Sequence, residues 1–480
     1  MSKILSFGGK ALKIVLIIVL VMLLVIALSV PMSRMSSPQL SLSGDVTTHP
    51  FQPQLITNVH LVDVKRGQII SNQAILIEKG LISRIGSAGS ILAENNDLEP
   101  VEIDAGGQFL APGLVDAHVH VFDPQDLALY LSHGITTVRN MAGMPAHLRW
   151  QEDIEQRGLI ASRLFTYSPA LNAGDNLGPF HQRVESPEHG RDLVKKFAEM
   201  DYQGIKVYNG LSLEMTNAII DQASKLGLPV AGHPSNQYPF EQVINLPLVS
   251  IEHIEELFQV GLRYQATVES VSNLTREIAE SNMPVVSTLV AFDNIFQASE
   301  AGEEFLSEID WSYLTGFTAF VGKKQLGPQL AGQISDWESQ KTRAHFAITR
   351  SLFENGATVA IGTDTGPVLT MPGLSFHREL EILTELEISN AKILRAATLN
   401  SSALIGDIAV CGEIREGCFA DLLFVSENPL ENISTLKEPE AVFTQGQYLN
   451  RQQLLELRAQ GQNHHSFYTV IGWLLESLLQ

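Results

Sequence analysis

The sequence predicts an α/β protein: a TIM (β/α)8 barrel, a small β-sandwich built from both ends of the body, and an N-terminal transmembrane helix. Three observations carry this. Eight short apolar runs recur at 113–121, 135–141, 164–169, 204–208, 228–233, 249–253, 284–291 and 358–363. Most are followed by a stretch with apolar residues at helical spacing, as in 211–226, and strand and helix alternating eight times is the pattern of a closed parallel barrel. Strand-like texture also appears on both flanks, before residue 112 and after residue 404.

Composition narrows the function classes. The chain has 480 residues, 45% of them hydrophobic and 18% charged, enough to bury at least one large core and to exclude wholesale disorder. Lys and Arg total 32 against 53 Asp and Glu, a net charge of −21, the wrong sign for a nucleic-acid backbone. Only two cysteines are present, Cys411 and Cys418, too few for a disulfide scaffold or a thiolate metal cluster. A metal here must therefore be held by His, Asp, Glu or a modified Lys. Seven-residue separation alone does not decide whether the two cysteines pair.

The elements follow in chain order. Residues 1–31 read as a membrane anchor or signal sequence, because the unbroken apolar run at 14–28 extends with its flanks to roughly the 20 residues of a span. Lys3, Lys10 and Lys13 precede it, so the N-terminus is expected in the cytoplasm and the catalytic body on the far side of the membrane. Small residues around Ala27 and Ser29 leave secretion after signal cleavage as the alternative. Residues 32–54, rich in Ser, Pro and Thr, read as a tether. Residues 55–112 read as the first part of a β-sandwich, with short apolar runs parted by Glu78-Lys79-Gly80.

The barrel is expected over 113–404. Its gap at 292–357 is longer than one helix needs and predicts several helices or an insertion over the barrel mouth. Residues 405–455 return to strand texture at 412–414, 420–425 and 441–444, completing the sandwich. Residues 456–480 read as an amphipathic helix with Phe467, Val470, Ile471, Leu474, Leu475, Leu478 and Leu479 at offsets of three and four. That stripe is expected to dock on the barrel or on a second subunit of a homo-oligomer, with contact to a membrane surface as the alternative.

Catalytic groups of a TIM barrel come from the C-terminal ends of its strands. His118 and His120, two apart at the end of the first strand, leave the same strand face and can converge on one ion. Lys206 lies in the fourth strand, His233 ends the fifth, His253 ends the sixth, and Asp364 follows the eighth within Gly362-Thr363-Asp364-Thr365-Gly366. Singly, each has a plain structural explanation: a paired buried cation, a core histidine, a turn. Together they occupy five separate strand ends, and this joint placement points to a metal site.

Here the chain resembles the amidohydrolase superfamily, and within it the imidazolonepropionase-like branch that includes Xaa-Pro dipeptidase-like and carboxypeptidase-like enzymes. The resemblance spans nearly the whole body. It rests on Leu110-Ala111-Pro112-Gly113-Leu114-Val115-Asp116-Ala117-His118-Val119-His120, Gly134-Ile135-Thr136-Thr137-Val138-Arg139, Gly204-Ile205-Lys206-Val207-Tyr208 and Ser250-Ile251-Glu252-His253, on the Gly362 to Gly366 loop, and on His377-Arg378-Glu379-Leu380-Glu381. The family usually reads Arg-Asp after the second strand, where this chain has Arg139-Asn140.

The resemblance implies a two-metal site in which His118, His120 and Asp364 hold one ion, His233 and His253 the other, and a carboxylated Lys206 bridges them. The physics agrees, since an ammonium beside two cations is repelled whereas its carbamate is an anionic ligand. Zn2+ suits so His-rich a site, and Mn, Fe or Co fit the same ligands. The implied reaction is hydrolysis of a C–N bond in a dipeptide or N-acyl amino acid by a hydroxide bridging the metals, with Asp364 as proton shuttle. A cyclic amide hydrolase or deaminase would use the same centre, and a non-catalytic scaffold would have no need of all six residues. His181 and Tyr208, on loops facing the mouth, are substrate-binding candidates, and His377, after the eighth strand, is a third.

Overall fold

The computed structural model describes residues 28–34, 40, 52–94, 98–156, 158–175, 177–178, 180–407 and 409–478. The expected membrane span and most of the tether lie outside them. Among the described residues no helix is long and apolar enough to cross a membrane.

Eight parallel strands form the centre: β1 (Leu114–Val119), β2 (Ile135–Asn140), β3 (Arg163–Thr166), β4 (Ile205–Val207), β5 (Val230–Gly232), β6 (Ser250–Glu252), β7 (Val285–Val286) and β8 (Val359–Ala360). Nearly every residue in them is buried, as expected of parallel strands covered on both faces. Strands β1, β2 and β3 form one sheet, and β4 to β8 form another that begins with two short strands, His181–Arg183 and Ala170–Asn172. Parallel bridges from Tyr167 to Gly204 and from Val119 to Thr365 join the two sheets at both seams and close the barrel.

Two glycines are required by close approach. A side chain on Gly232 would meet the Val207 carbonyl oxygen at 2.0 Å, so β5 can lie against β4 only with glycine there. On Gly362 it would meet the His118 Cβ at 2.7 Å, so glycine lets the Asp364 loop sit on the end of β1. The seventh apolar run is shorter as a strand than its sequence suggests, because a helix already begins at Leu289.

The flanking β segments do join. Strands 54–63, 68–78, 81–86, 101–104 and 109–112 share one eight-stranded sheet with 422–425, 441–444 and 447–450. Where two packed layers were expected, this single sheet curls: Ile82 N donates to the Cys418 carbonyl and Ala420 N to the Gly80 carbonyl, tying one edge to the residues that lead into strand 422–425. Ile56, Ile75, Phe424 and Phe443 fill the space enclosed. Residues 412–414 form no strand. They lie in a loop that turns at Gly412, whose φ is 61°, and that is closed by a disulfide between Cys411 and Cys418, with Cα atoms 5.8 Å apart.

The long gap between β7 and β8 is helical, with α1 (Leu289–Ala301), α2 (Gly316–Leu330) and α3 (Ser335–Glu354) as its main members. Thr315 caps α2, its hydroxyl accepting from Thr318 N at 3.0 Å. The C-terminal stretch is two helices, α4 (Arg451–Gly461) and α5 (Phe467–Leu478). The break between them is held by Asp123, which accepts from His465 N at 2.7 Å and pairs with His465 Nδ1 at 2.9 Å.

Helix α5 docks on the barrel through Val470 and Trp473, both almost fully buried. Trp473 packs edge-on against Trp150 and donates to the Ser33 carbonyl at 3.0 Å, so residues 28–34 lie against the same helix. Glu476, the only charge of α5, turns inward to Arg149 and Arg34, each at 2.7 Å.

Candidate metal centre

His118 Nε2 lies 3.5 Å and His120 Nε2 2.9 Å from Asp364 Oδ1, and these three residues form a group whose donor atoms could hold one ion. The His253 ring lies 4.4 Å from that of His118 and 4.6 Å from that of His233. Lys206 projects into the same space from β4. His253 and Asp364 have φ of 70° and 52°, left-handed backbone at non-glycine residues, which marks a site whose geometry the surrounding fold imposes.

A shell of acceptors fixes the rings. Glu252 Oε2 meets His118 Nδ1 at 2.6 Å, Glu256 Oε1 meets His233 Nδ1 at 2.5 Å, and Thr288 Oγ1 meets His253 Nδ1 at 2.8 Å. With each Nδ1 engaged by an oxygen, each Nε2 is the ring atom that could serve a metal. Glu252 is held in turn by Arg139 at 2.8 Å and Ser250 at 2.5 Å. Asp116 accepts from Thr363 N and Thr363 Oγ1 at 3.1 and 2.7 Å, pinning the loop that carries Asp364. Asn140 binds Thr166 at 2.8 Å and accepts from Val121 N at 3.1 Å, so the departure at this position supports the β1 loop and leaves the donors untouched.

Electrostatics follow from burial. Desolvation lowers Lys206 to about 8, against the opposing pull of Glu252 and Asp364, so a neutral amine is accessible near physiological pH. Burial drives His253 down to about 3, and His118 and His233 well below their ordinary value, so all three are neutral imidazoles. Burial pushes the Asp364 carboxyl up, but the hydrogen bond and charge of His120, with His253 and Lys206, outweigh it and hold the group ionised.

These residues fit a bound divalent metal. Among the described residues Lys206 Nζ and His118 Nε2 are buried without a hydrogen-bond partner, an arrangement that costs about 1–3 kcal/mol per group unless something engages them. Four imidazoles, one carboxylate, and an amine able to become an anionic carbamate form a donor set of the right charge and softness.

A cavity of about 380 Å³ opens on this cluster. His120, Lys206, His233, His253 and Asp364 line it, as do His181 and Tyr208, whose rings are 4.3 Å apart. His377 stands elsewhere: it is buried behind the barrel, its Nε2 2.9 Å from the His133 carbonyl, and is not among the lining residues, so it cannot touch a substrate there. It is corrected to a residue that packs the helix after β8 against the turn before β2.

Sequence reasoning assigned no role to Glu252, Glu256 or Thr288. An acid directly before His253 in an apolar strand was a readable signal for the first; the others depend on the fold. It also missed the apolar wall, where Phe122 stacks between Phe180 at 5.7 Å and Phe317 at 5.2 Å, with Val321 and Gln325 from α2 alongside.

Comparison with known proteins agrees with this geometry. Residues 109–449 match the Amidohydrolase family. Ochratoxinase of Aspergillus niger is 23% identical over 449 residues, covering 78% of this chain and 82% of that protein. Among solved structures, the bottromycin amidohydrolase superposes with a TM-score of 0.71 at 22% identity, over 87% of this chain and 92% of the other. A Xaa-Pro dipeptidase with methionine in its active site gives 0.65 at 20% identity, over 83% of this chain and 100% of the other.

Proposed function

This chain belongs to the amidohydrolase family, hydrolases of carbon–nitrogen bonds, and on that premise we propose that it cleaves the amide of a dipeptide or N-acyl amino acid bearing a bulky apolar group. The observation that carries the reading is the junction of two surfaces in one cavity: His120, Lys206, His233, His253 and Asp364 on one side, Phe122, Phe180, Phe317 and Val321 on the other.

Divalent ions bound by His118, His120, His233, His253, Asp364 and a carboxylated Lys206 would supply Lewis-acid polarisation of the scissile carbonyl and acidify the attacking water. The residues of the chain do the rest. Asp364, ionised and open to the cavity, takes a proton from the water at its carboxylate and returns it to the leaving nitrogen, so the amine departs neutral. Glu252 and Glu256 hold His118 and His233 in one tautomer throughout. The Tyr208 hydroxyl, kept protonated because burial pushes it up to about 12, donates to the substrate beside His181. The Phe122–Phe180–Phe317 wall takes the apolar group and excludes water from it.

The test is a screen of N-acyl amino acids and dipeptides against the purified metal-loaded protein. Hydrolysis that rises with the size of the apolar group supports the reading; turnover of cyclic amides or amino-heterocycles alone would replace it with a cyclic amide hydrolase or deaminase. Failure to bind about two equivalents of transition metal would favour a scaffold.

The body is further proposed to lie outside the cytoplasm, tethered by residues 14–28. Three lysines ahead of that run and the disulfide between Cys411 and Cys418 support this orientation. Protease added to spheroplasts should degrade the body, and full protection would overturn the orientation.

A further inference from the structure

Helix α5 has two apolar faces, and only one is used by the barrel. Val470 and Trp473 are buried, and the sole charge, Glu476, is turned inward. Phe467 and Leu478 are eleven positions apart, three full turns, so they share a face to within about 20°. Ile471 lies between them, half-buried. This second face is exposed: Leu478 is 68% accessible and the adjoining Tyr468 65%.

The start of α2 extends it, and residues 28–34 lie beside it. A side chain at Gly316 would touch Phe467 at 3.8 Å, which puts the start of α2 against the start of α5. Phe320, one turn along α2 from Gly316, is 61% accessible and is followed by the exposed Lys323 and Lys324. Phe317, Val321 and Gln325, centred about 100° round α2 from Phe320, line the catalytic cavity. Residues 28–34 cross α5 at Gly472 and Trp473, with Leu28 exposed. Leu28 is also the last residue of the apolar run 14–28. The apolar run 14–28 therefore ends beside α5, on the side of the helix that bears Gly472 and Trp473.

We propose that the strip formed by Leu28, Phe320, Phe467, Tyr468 and Leu478 rests in the interfacial layer of a lipid bilayer, the same membrane that residues 14–28 are read to cross. Phe and Leu side chains beside Tyr468, whose hydroxyl gives it one polar edge, and near Lys324, whose stem can carry its charge to the headgroups, suit that layer. The absence of any outward charge on α5 makes the contact apolar rather than a response to anionic lipid. It also brings the α2 wall of the catalytic cavity to the membrane surface.

The inference rests on the tethering proposed above, and one experiment separates the two. Both native cysteines are engaged in the disulfide, so Tyr468→Cys and Phe320→Cys each add one reactive thiol for an environment-sensitive fluorophore. Leu226→Cys, exposed at the opposite end of the barrel after helix Leu213–Lys225, serves as control. The full-length chain is reconstituted into phosphatidylcholine vesicles with and without brominated acyl chains. Expected are blue-shifted emission and at least twofold quenching by brominated lipid at 468 and 320, with neither at 226. Vesicle-bound protein whose probes at 468 and 320 stay water-exposed would overturn the docking face and leave the tether standing. Failure of the chain to float with vesicles would overturn both. Shielding that depends on protein concentration and not on brominated lipid would make the strip an interface between two copies and overturn the proposal.

Discussion

Glu252 Oε2 lies 2.6 Å from His118 Nδ1, and both side chains are completely buried. The other oxygen of the same carboxylate receives Arg139 at 2.8 Å. One acid thus sets the tautomer of the His118 imidazole and neutralises a guanidinium inside the barrel.

Glu252→Gln leaves Arg139 buried without its counter-charge, and breaking such a pair typically costs about 3–5 kcal/mol. The urea midpoint of the metal-free protein should fall accordingly. Metal affinity should drop by about 10- to 100-fold, because His118 loses its orienting acceptor. Unchanged stability and metal content would remove the coupling.

Asp364→Asn keeps an oxygen near His118 and His120 but cannot accept a proton. Metal should be partly retained while single-turnover hydrolysis slows roughly 100- to 10,000-fold, the range for loss of a general acid–base group. Near-normal turnover would assign the proton transfer to another residue.

Lys206→Ala should lose most bound metal and activity. A short-chain carboxylic acid that occupies the vacated space should restore part of both, since it replaces the oxygen donors of a carbamate. Mass analysis finding a bare amine at Lys206 in active, metal-loaded protein would refute carboxylation.

Phe317→Ala opens the apolar wall without touching the donors. For amides with a bulky apolar group kcat/KM should fall by about 10- to 100-fold, the equivalent of ~1.5–3 kcal/mol of lost burial. N-acetylglycine-sized substrates should change little. Equal losses for both would place the apolar group elsewhere.

His345 is a site of acid sensitivity. Burial, reinforced by Lys341, lowers it to about 3, and neither ring nitrogen has a hydrogen-bond partner among the described residues. A depressed histidine contributes stability that is complete above the unfolded value of 6.5 and is lost as pH falls from there toward 3. At pH 5 the loss approaches ~2 kcal/mol. His345→Phe, packed against Phe258 and Phe292, should flatten this part of the stability curve while keeping neutral-pH stability. Parallel urea melts of both proteins at pH 5 and 7.5 provide the measurement; identical pH dependence would contradict it.

What was legible in sequence is what short-range pattern determines. Each barrel strand is an apolar run of a few residues, and His118, His120, His233, His253 and Asp364 sit at strand ends that the runs themselves mark, so position along the chain already implied convergence. The resemblance of the quoted motifs to one superfamily followed from the same stretches. Tertiary structure alone decided the rest. Glu256 and Thr288 reach their imidazoles only because of how the loops after β6 and β7 turn. The apolar wall joins Phe122 and Phe180 to Phe317 of α2, an insertion more than a hundred residues beyond Phe180, and the aromatic residues of α2 carry no local sign of which side faces the cavity. His377 looked like a site residue by motif, yet the packing of its helix aims it at the His133 carbonyl. The C-terminal stripe read as one amphipathic face, and only docking revealed two, one filled by Trp150 and one left outward. Periodicity records that a side chain is apolar; which neighbour covers it depends on contacts between segments far apart in the chain.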